Sequence, residues 1–479
     1  NTKKLITLIF ISKNVNLMYN IREKEWIEMN LEIKKIVEIC NGQLICGKDN
    51  VVVKHFSKDT RTIKEDDCYI GIKGENFNGN QYIGMAFEKG ACACIVDEMP
   101  NEKYDKPVIL VENSILALQS IATYVRKQKN IPIVAITGSA GKTSTKDMID
   151  SVLNQKYKVY KTPGNLNGQI GLPLSLLEAD DVDIIVLEMG MNGFGMIHNL
   201  TKIAEPDLAV ITNIGTAHIG LLGSRENILK AKLEILDGMK KSAPLAINND
   251  NDLLQNLQIP NPLIKCGLSL NSDYRAENIK VLKGKTNFDI SGETISLPLM
   301  GDVFVSNALL AIAVGTYFDV PFSLIKKGLE TVSISGNRMK IETLKNEATL
   351  IDDTYNSNIE ALKGALNTLK EYPGKRKIAV IGDMLELEEF SEKIHRDVGN
   401  LPVLNSFDFI CLYGDKVKFT LEEIQDNIQL KEKVYYFDTL KSLQEFLEKT
   451  IQKEDVILLK ASNGMHLKEI VENLKRYSF

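Results

Sequence analysis

The stretch Ile131-Pro-Ile-Val-Ala-Ile-Thr-Gly-Ser-Ala-Gly-Lys-Thr-Ser-Thr145 decides the fold of this chain. Its apolar first half predicts a strand, Gly138-Ser-Ala-Gly141 predicts a tight loop, and a helical pattern opens at Lys142-Thr143. Backbone N–H groups of such a loop and the positive end of the helix dipole attract phosphate. Lys142 adds a positive charge, and the Thr143 hydroxyl is placed to reach Mg²⁺. This order predicts an enzyme that uses a nucleoside triphosphate.

The loop differs from the common phosphate-binding pattern G-x-x-x-x-G-K-[ST], because Ile136 stands where the first glycine is expected. The shorter form G-x-x-G-K-T begins at Gly138. A chance Gly-Lys-Thr at the start of a helix is the competing interpretation. The preceding strand pattern, and Met148, Ile149 and Val152 at helical spacing, favour the nucleotide loop.

Length and composition limit the number of domains and the class of protein. The chain has 479 residues, which predicts about three domains at roughly 150 residues each. A net charge of −5 gives no support for a nucleic-acid partner. The seven cysteines lack metal-ligand spacing, and their odd number argues against a disulfide framework. We therefore expect reduced thiols in a cytoplasmic protein.

The first residues differ from the rest of the chain. An apolar run over 5–11 follows Lys3-Lys4 and weakly imitates a signal peptide, but it is too short to span a membrane. We interpret 1–28 as an extension outside the fold, with Met29 as a plausible start. No other window is long and apolar enough for a transmembrane helix, so we expect no membrane insertion.

The pattern after residue 29 predicts an α/β fold in three domains. Residues 29–129 read as a small α/β domain, with helices over 33–40 and 114–129 and strands over 68–72 and 92–96. Residues 130–336 read as a central phosphate-loop domain with a parallel sheet. Residues 337–479 read as a Rossmann-like α/β domain, because strands over 348–352, 377–381, 407–412 and 455–459 alternate with helices over 359–371 and 440–449.

Candidate functional residues follow the central strands. Apolar runs over 183–188 and 208–213 are typical of parallel strands covered on both faces, and ligands gather at the carboxyl ends of such strands. Thr137, Glu188 and Asn213 therefore fall on one sheet edge. A buried carboxylate at Glu188 needs a partner or a metal. His218 follows the next strand, where imidazole can help to hold Mg²⁺ or Mn²⁺, although a lone histidine is often only a loop residue.

These motifs together resemble the Mur ligases, the ATP-dependent peptide ligases of bacterial cell-wall synthesis. The resemblance covers nearly everything after residue 29 and rests on nine motifs in the family's order. They are Gly138-Ser-Ala-Gly-Lys-Thr143, Thr162-Pro-Gly-Asn-Leu-Asn167, Glu188-Met-Gly190, Asn213-Ile-Gly-Thr-Ala-His218, Ala231-Lys-Leu-Glu234, Gly301 with Asn307-Ala308, Asn337-Arg338-Met339, Asp352-Asp-Thr-Tyr-Asn356 and Gly382-Asp-Met-Leu-Glu386. The last two resemble the member that joins D-Ala-D-Ala to a UDP-N-acetylmuramoyl-tripeptide.

The resemblance implies a mechanism and a set of roles. ATP would phosphorylate the terminal carboxylate of the UDP-linked muramoyl tripeptide, and the amine of D-Ala-D-Ala would attack the acyl phosphate. Lys142, His218 and Lys232 would be catalytic, with Lys232 carrying a carbamate. Thr143 and Glu188 would bind a first Mg²⁺ and His218 a second, with Mn²⁺ as a substitute. The nucleotide would contact Gly138, Ser139, Ala140, Gly141, Lys142, Thr143, Ser144, Asn307, Arg338 and Asp352.

The resemblance also assigns the peptide substrates. Asp59, Arg61 and Asn165 would face the UDP-linked substrate, and Asn356, Asn358, Lys460 and Ser462 would receive the dipeptide. Residues 29–129 would form the UDP-binding domain, and we expect a monomer.

Departures from the family pattern keep alternatives open. The nucleotide and metal motifs are intact, whereas Met196, Val303 and Asn463 stand where Glu, His and Arg are usual. One alternative is a divergent Mur or folylpolyglutamate-type ligase with another amino-acid acceptor. Another is a nucleotide-binding regulatory protein without ligase activity. Phosphate release that requires both a UDP-linked peptide and a free amine separates the ligases from the regulator.

Overall fold

The computed structural model of the protein describes residues 29–282, 284–336, 338–425 and 427–477. The predicted extension over 1–28 and Asn337 lie outside the described residues. The predicted α/β fold is confirmed, and each of the three predicted regions contains its own main sheet.

The first region contains a five-stranded sheet in the order β2-β7-β6-β5-β4. Its inner pairs are parallel, while β2 runs antiparallel to β7 at the edge and β1 pairs with β3 separately. The strands are β1 (Leu31–Glu32), β2 (Gln43–Cys46), β3 (Val52–Val53), β4 (His55–Ser57), β5 (Asp67–Gly71), β6 (Ala93–Val96) and β7 (Val108–Leu110), and the helices are α1 (Ile33–Cys40), α2 (Ile83–Glu88) and α3 (Ser114–Lys129).

Capping residues mark both ends of α3, the longest helix of the first region. The side chain of Asn113 accepts a hydrogen bond from the backbone N–H of Leu116 and caps α3, and Asn130 ends that helix in the left-handed conformation. The predictions over 33–40 and 114–129 are both confirmed. The buried face of α3 packs against α1. From the C-terminus of α3 the chain passes directly into the first strand of the central sheet.

The central region contains a seven-stranded sheet in the order β14-β13-β12-β11-β8-β10-β9, in which every pair is parallel. The strand that carries the phosphate loop, β8, lies between β10 and β11. The ends of these three strands are therefore neighbours, as the sequence predicts. The strands are β8 (Ile133–Thr137), β9 (Val159–Lys161), β10 (Ile184–Glu188), β11 (Leu208–Ile211), β12 (Leu245–Asn248), β13 (Leu263–Gly267) and β14 (Tyr274–Arg275).

Helices cover both faces of the central sheet, which explains why its strands are apolar throughout. Ile133 and Ala135 of β8 face the core that is shared with α3, whereas Val134 and Ile136 face a second core. The helices are α4 (Lys142–Leu153), α5 (Gly171–Glu178), α6 (Met196–Ala204), α7 (Ile219–Leu222), α8 (Arg225–Leu233), α9 (Asp302–Tyr317) and α10 (Phe322–Glu330).

A three-stranded antiparallel sheet was absent from the prediction for the central region. It consists of β15 (Glu277–Leu282), β16 (Lys285–Ile290) and β17 (Glu293–Leu297). Ser291 and Gly292 join the last two strands with φ values of 53° and 86°. A two-residue loop with both residues at positive φ is the usual hairpin connection, so Ser-Gly between two alternating runs was the available signal.

The C-terminal region contains a six-stranded sheet in the order β18-β19-β23-β20-β21-β22. The predicted parallel pairing holds for the four predicted strands β19, β20, β21 and β23. Two further strands were not predicted: β22, which is parallel to β21, and β18, which runs antiparallel to β19 at the edge. The strands are β18 (Lys340–Thr343), β19 (Thr349–Asp353), β20 (Lys377–Gly382), β21 (Phe409–Tyr413), β22 (Val434–Phe437) and β23 (Val456–Lys460), and the helices are α11 (Ile359–Glu371), α12 (Ser391–Gly399), α13 (Val417–Gln425), α14 (Ile428–Lys431), α15 (Leu440–Thr450) and α16 (Leu467–Arg476).

Among the described residues, none of the helices combines the length and the apolar character that crossing a bilayer would require.

Candidate active site

A cavity of about 550 Å³ lies between the central and C-terminal regions. The carboxyl ends of β8 and β10 open onto it from one side, and the carboxyl ends of β19 and β23 open onto it from the other. Most of the predicted site residues line it, namely Ser139, Ala140, Gly141, Lys142, Thr143, Ser144, Asn165, Glu188, His218, Lys232, Asn307, Arg338, Asn356, Asn358 and Lys460.

The phosphate loop has a conformation that requires its two glycines. Gly138 and Gly141 have φ values of 153° and 81°, and a side chain on either would collide with Thr212 or Asn307. The backbone N–H of Ala140 donates to Asn213 Oδ1 at 2.8 Å, which fixes the loop to the strand end next to it. The loop is thus held open at the N-terminus of α4, where backbone donors attract phosphate.

Lys142 begins α4 and bends back over the loop, where its Nζ donates to the carbonyl oxygen of Gly138 at 2.8 Å. Burial lowers the pKa of Lys142; the nearby Glu188 carboxylate opposes this effect, and Arg338 adds to it. A phosphate group in the cavity would favour the charged form of this lysine.

Glu188 ends β10 with only 2% of its surface exposed, as the sequence predicts. Its Oε2 accepts a hydrogen bond from the Thr143 hydroxyl at 2.9 Å and lies 3.6 Å from Lys146 Nζ. Its Oε1 accepts from Asn167 Nδ2 at 2.9 Å. Both oxygens are therefore compensated, which makes a buried carboxylate tolerable at the edge of the cavity.

Thr143 and Glu188 fit a magnesium ion. Magnesium is usually held by one or two carboxylates together with water and substrate phosphates, at about 2.0–2.1 Å. Two neighbouring oxygens around such an octahedral ion lie about 2.9 Å apart, and Thr143 Oγ1 and Glu188 Oε2 are separated by 2.9 Å. Within the described ranges, no three His, Cys, Asp or Glu side chains gather into a metal cluster. Phosphate and water would supply the other ligands.

His218 lines the same cavity and has a backbone φ of 65°. Its Nδ1 lies 2.9 Å from Oε2 of Glu386, a residue of the C-terminal region. The imidazole holds the pKa of Glu386 below its usual range. Glu386 belongs to a motif that the sequence singled out, but its contact with His218 was not predicted.

Lys232 lies on α8 and is 2% exposed. Burial lowers its pKa well below the ordinary value, and the positive charge of Lys142 adds to that effect. Among the residues that the structure describes, no carboxylate offsets this effect on Lys232. The neighbouring Glu234 carboxylate turns away, because it accepts hydrogen bonds from the backbone N–H groups of Gly195 and His198 near the start of α6.

Two predicted nucleotide contacts flank the loop. Asn307, on α9, is buried beside Gly141. The Arg338 guanidinium lies 4.0 Å from the centre of the Tyr355 ring, an arrangement in which the ring face attracts the cation. Both side chains line the cavity, and Arg338 brings a positive charge into it from the C-terminal side.

Asp352 is placed differently from its neighbour Asp353. Asp352 is 1% exposed, does not line the cavity, and accepts hydrogen bonds from the backbone N–H and the hydroxyl of Thr354. Burial raises its pKa. Asp353 lines the cavity instead, because successive side chains of a strand point to opposite faces.

The predicted acceptor residues lie at or just after the ends of β19 and β23. Lys460 Nζ donates to Asp353 Oδ2 at 2.6 Å and to the carbonyl oxygen of Asn356 at 3.0 Å. Asn358 caps α11 through Ala361 N–H and extends its Nδ2 to 3.5 Å from the carbonyl oxygen of Ser139. Ser462 is buried outside the cavity lining, where its Oγ accepts from the N–H of Leu385.

Asp59 and Arg61 lie in the first region, away from the lining of this cavity. Their side chains form a close ion pair, with Arg61 Nη2 2.6 Å from Asp59 Oδ2. The guanidinium and the Arg61 backbone N–H lower the pKa of Asp59 to about 2. Asp59 therefore stays ionised at neutral pH and holds the exposed Arg61 guanidinium in an ion pair.

Known proteins share this arrangement of sheets and loop. The family model described as the Mur ligase middle domain matches residues 136–315, and the one described as the Mur ligase, glutamate ligase domain matches residues 337–463. The chain belongs to the Mur ligase family. The UDP-N-acetylmuramoyl-tripeptide--D-alanyl-D-alanine ligase of Bacillus subtilis is 36% identical over 448 residues, which cover 92% of this chain and 98% of that protein.

Solved Mur ligase structures have the same fold. MurF from Acinetobacter baumannii superposes with a TM-score of 0.85 at 27% identity, and covers 94% of this chain and 100% of that one. MurF from Thermotoga maritima in complex with ADP gives a TM-score of 0.78 at 28% identity, and covers 88% of this chain and 97% of that one. The family resemblance that the motifs predicted is confirmed.

Sequence reasoning about this Mur ligase missed several residues of the cavity and its surroundings. Lys146 carried a signal, because it follows Lys142 by one helical turn on the same face. Asn167 lies inside a quoted motif, but only the fold shows that it contacts Glu188. Glu360 carried no signal, since its contact with Thr216, at 3.0 Å between Oε2 and the hydroxyl, joins two regions of the chain.

Proposed function

We propose that this chain is an ATP-dependent ligase that joins D-Ala-D-Ala to a UDP-N-acetylmuramoyl-tripeptide. The observation that carries the proposal is the convergence of the phosphate loop, the Thr143–Glu188 pair and cations from the C-terminal region on one cavity. The name of the Bacillus subtilis relative, which aligns over nearly its whole length, supports the choice of substrates.

The reaction would proceed in two steps. The terminal carboxylate of the tripeptide attacks the γ-phosphorus of ATP, which forms an acyl phosphate and releases ADP. The amine of D-Ala-D-Ala then attacks the carbonyl carbon, loses a proton, and expels phosphate as the C–O bond breaks. The products are one amide, ADP and phosphate. Such phosphoryl transfer depends mainly on positioning and on charge stabilisation.

The residues of the central region would bind ATP. The loop over 138–144 would hold the phosphates, with Lys142 neutralising the γ-phosphate, and Asn307 and Arg338 would contact the nucleotide. Thr143 and Glu188 would hold one Mg²⁺, which supplies charge neutralisation at the phosphates. His218 would be a ligand of a second Mg²⁺. For Asp352, which lies just behind the cavity, we propose that it fixes the Thr354 turn near the nucleotide.

Lys232 is the residue that we propose to be carbamylated. Its lowered pKa favours the neutral amine, which can add to CO₂ with loss of a proton. The product would be an anion beside Lys142, where the chain otherwise provides an uncompensated buried amine. The new negative charge would offset the cation of Lys142 and help to orient the metal ligands.

The substrate ends would contact different regions. Arg61, paired with Asp59, would face the UDP-linked substrate, and Asn165 lines the cavity beside the phosphate loop. Asn356, Asn358, Lys460 and Ser462 would shape the site of the dipeptide. The charge of Lys460 is already paired with Asp353, so we expect it to organise the chain around Asn356 rather than to bind a carboxylate alone. A monomeric state, a cytoplasmic location and the use of Mn²⁺ stay predictions.

A substrate panel tests this proposal. We expect phosphate release to require a UDP-linked tripeptide and D-Ala-D-Ala together, with much less release for L-amino acids; D-Ala-D-lactate, which carries the same attacking amine, shows whether the second residue of the acceptor is also recognised. The measurement is phosphate production at saturating Mg·ATP for each pair. Equal release without either peptide substrate would contradict a ligase, and a clear preference for an L-amino acid would identify a different acceptor.

A further inference from the structure

Lys146 lies inside the helix that follows the phosphate loop, one turn after Lys142, and only 1% of its surface is exposed. Its Nζ donates to the carbonyl oxygen of Thr162 at 2.9 Å and approaches that of Gly164 at 3.4 Å. The same nitrogen lies 3.6 Å from Glu188 Oε2. A buried ammonium is costly unless it is fully compensated, and these oxygens compensate it.

The loop over 162–167 also contacts Glu188 directly, through its first and its last residue. Asn167 Nδ2 donates to Glu188 Oε1, and the Glu188 backbone N–H donates to the Thr162 hydroxyl. Lys146 therefore closes a ring of contacts among α4, the end of β10 and this loop. Asn165, which lines the cavity, lies within the same loop.

Lys146 itself does not line the cavity, so it reaches the reacting groups only through Glu188 and the loop. Lys142 also attracts the Glu188 carboxylate. Without Lys146, the attraction of Lys142 would act on the carboxylate unopposed and would draw it towards the phosphate loop. Thr143 and Asn167 donate hydrogen bonds to the Glu188 carboxylate, but neither side chain carries a positive charge that could oppose this attraction.

We propose that Lys146 is a positioning residue that holds Glu188 and the loop over 162–167 in the arrangement that binds magnesium. This inference rests on the proposed role of Glu188 as a magnesium ligand. It assigns the second lysine of α4 to the metal site and not to the nucleotide.

The test compares Lys146→Met, which removes the charge and the donors, with Lys146→Gln, which keeps a donor but loses the charge. The readout is the Mg²⁺ concentration that half-saturates Mg²⁺-dependent binding of a fluorescent ATP analogue, measured without peptide substrates. Residues behind metal ligands typically change metal affinity by about 10–100-fold. We expect a rise of that size in the Mg²⁺ midpoint for Lys146→Met and a smaller rise for Lys146→Gln.

Lys129→Met is a matched control. Lys129 is also a mostly buried lysine that donates to a carbonyl oxygen, that of Ala179 at 2.8 Å, and pairs with a carboxylate, that of Asp180 at 3.1 Å. It lies away from the cavity, so Lys129→Met should lower the unfolding temperature without moving the Mg²⁺ midpoint.

A wild-type Mg²⁺ midpoint in Lys146→Met would overturn the inference, whatever happens to the unfolding temperature. Failure of both Lys146 variants to fold would also overturn it, because the residue would then be needed for stability. Glu188→Gln, measured in parallel, separates the two proposals. If Glu188→Gln keeps the wild-type midpoint, the metal-ligand role and the Lys146 role both fail, whereas a changed Glu188→Gln with an unchanged Lys146→Met rejects Lys146 alone.

Discussion

Lys142 and Lys232 face one cavity, and burial lowers the pKa of both. Two ammonium groups in a confined space repel each other, and water cannot screen them well. In the proposed reaction, the repulsion between Lys142 and Lys232 is relieved in a different way at each lysine. Phosphate would keep Lys142 charged, whereas Lys232 would lose its proton and become available for a reaction with CO₂.

Replacing Lys142 with alanine should abolish most turnover. Removing one preorganised electrostatic group typically lowers kcat by about 10²–10³-fold, and we expect a loss of at least that size in phosphate release. Lys230→Ala, at an exposed lysine on α8, is the control and should keep wild-type rates. Near-normal turnover in Lys142→Ala would mean that the loop does not bind the transferred phosphate.

Lys232→Ala tests the carbamate through chemical rescue. The variant should lose activity because the anion beside Lys142 is missing, and short carboxylic acids such as acetate should restore part of it. The measurement is phosphate release against acid concentration, with Lys142→Ala as a variant that the acids should not rescue. Absence of any rescue at Lys232→Ala would count against a carbamate at this position.

At the scale of elements, the N-terminus of α11 joins the C-terminal region to the phosphate loop. Asn358 caps this helix and approaches the carbonyl oxygen of Ser139. Glu360, in the first turn, accepts a hydrogen bond from the Thr216 hydroxyl. An added side chain at Gly215 would collide with Glu360, so the two regions are in close contact here.

Thr216→Val removes this hydrogen bond while keeping the shape of the side chain. A hydrogen bond to a charged group contributes about 1.5–3 kcal/mol, so we expect the KM for ATP to rise by roughly tenfold or more as the regions associate less well. Thr331→Val is the control, because the Thr331 hydroxyl bonds only within and next to its own helix. Unchanged kinetics in Thr216→Val would show that this contact does not help to assemble the nucleotide site.

Helices and strands whose own sequence has a clear apolar pattern could be predicted. Strands that form only because a neighbouring strand pairs with them were harder to predict. The helix over 359–371 was predicted between two apolar strands and is confirmed as Ile359–Glu371. β18 was missed because its exposed, mixed sequence, Lys340-Ile-Glu-Thr343, has little apolar content of its own. It forms an edge strand because β19 is available beside it.

At the scale of the whole molecule, the site depends on two sheets whose carboxyl ends face each other. The sequence was sufficient to place Thr137, Glu188 and Asn213 on one edge, because parallel strands share their direction. It was insufficient for the contacts between His218 and Glu386 or between Thr216 and Glu360, since the relative placement of two regions has no periodic signature. Asp353 was likewise missed in favour of Asp352, because one residue of register decides which side chain meets the cavity.

The bond from Ala140 to Asn213 spans 73 residues of sequence, and this separation matters when the protein is synthesised. The ribosome releases the phosphate loop long before it releases the strand that holds the loop in place. Until β11 has emerged and paired with β8, Gly138 and Gly141 are only two flexible positions in a nascent chain. Since domains generally fold as units, ATP cannot act as an early ligand that guides folding. Nucleotide binding therefore begins only when at least the three central strands have assembled.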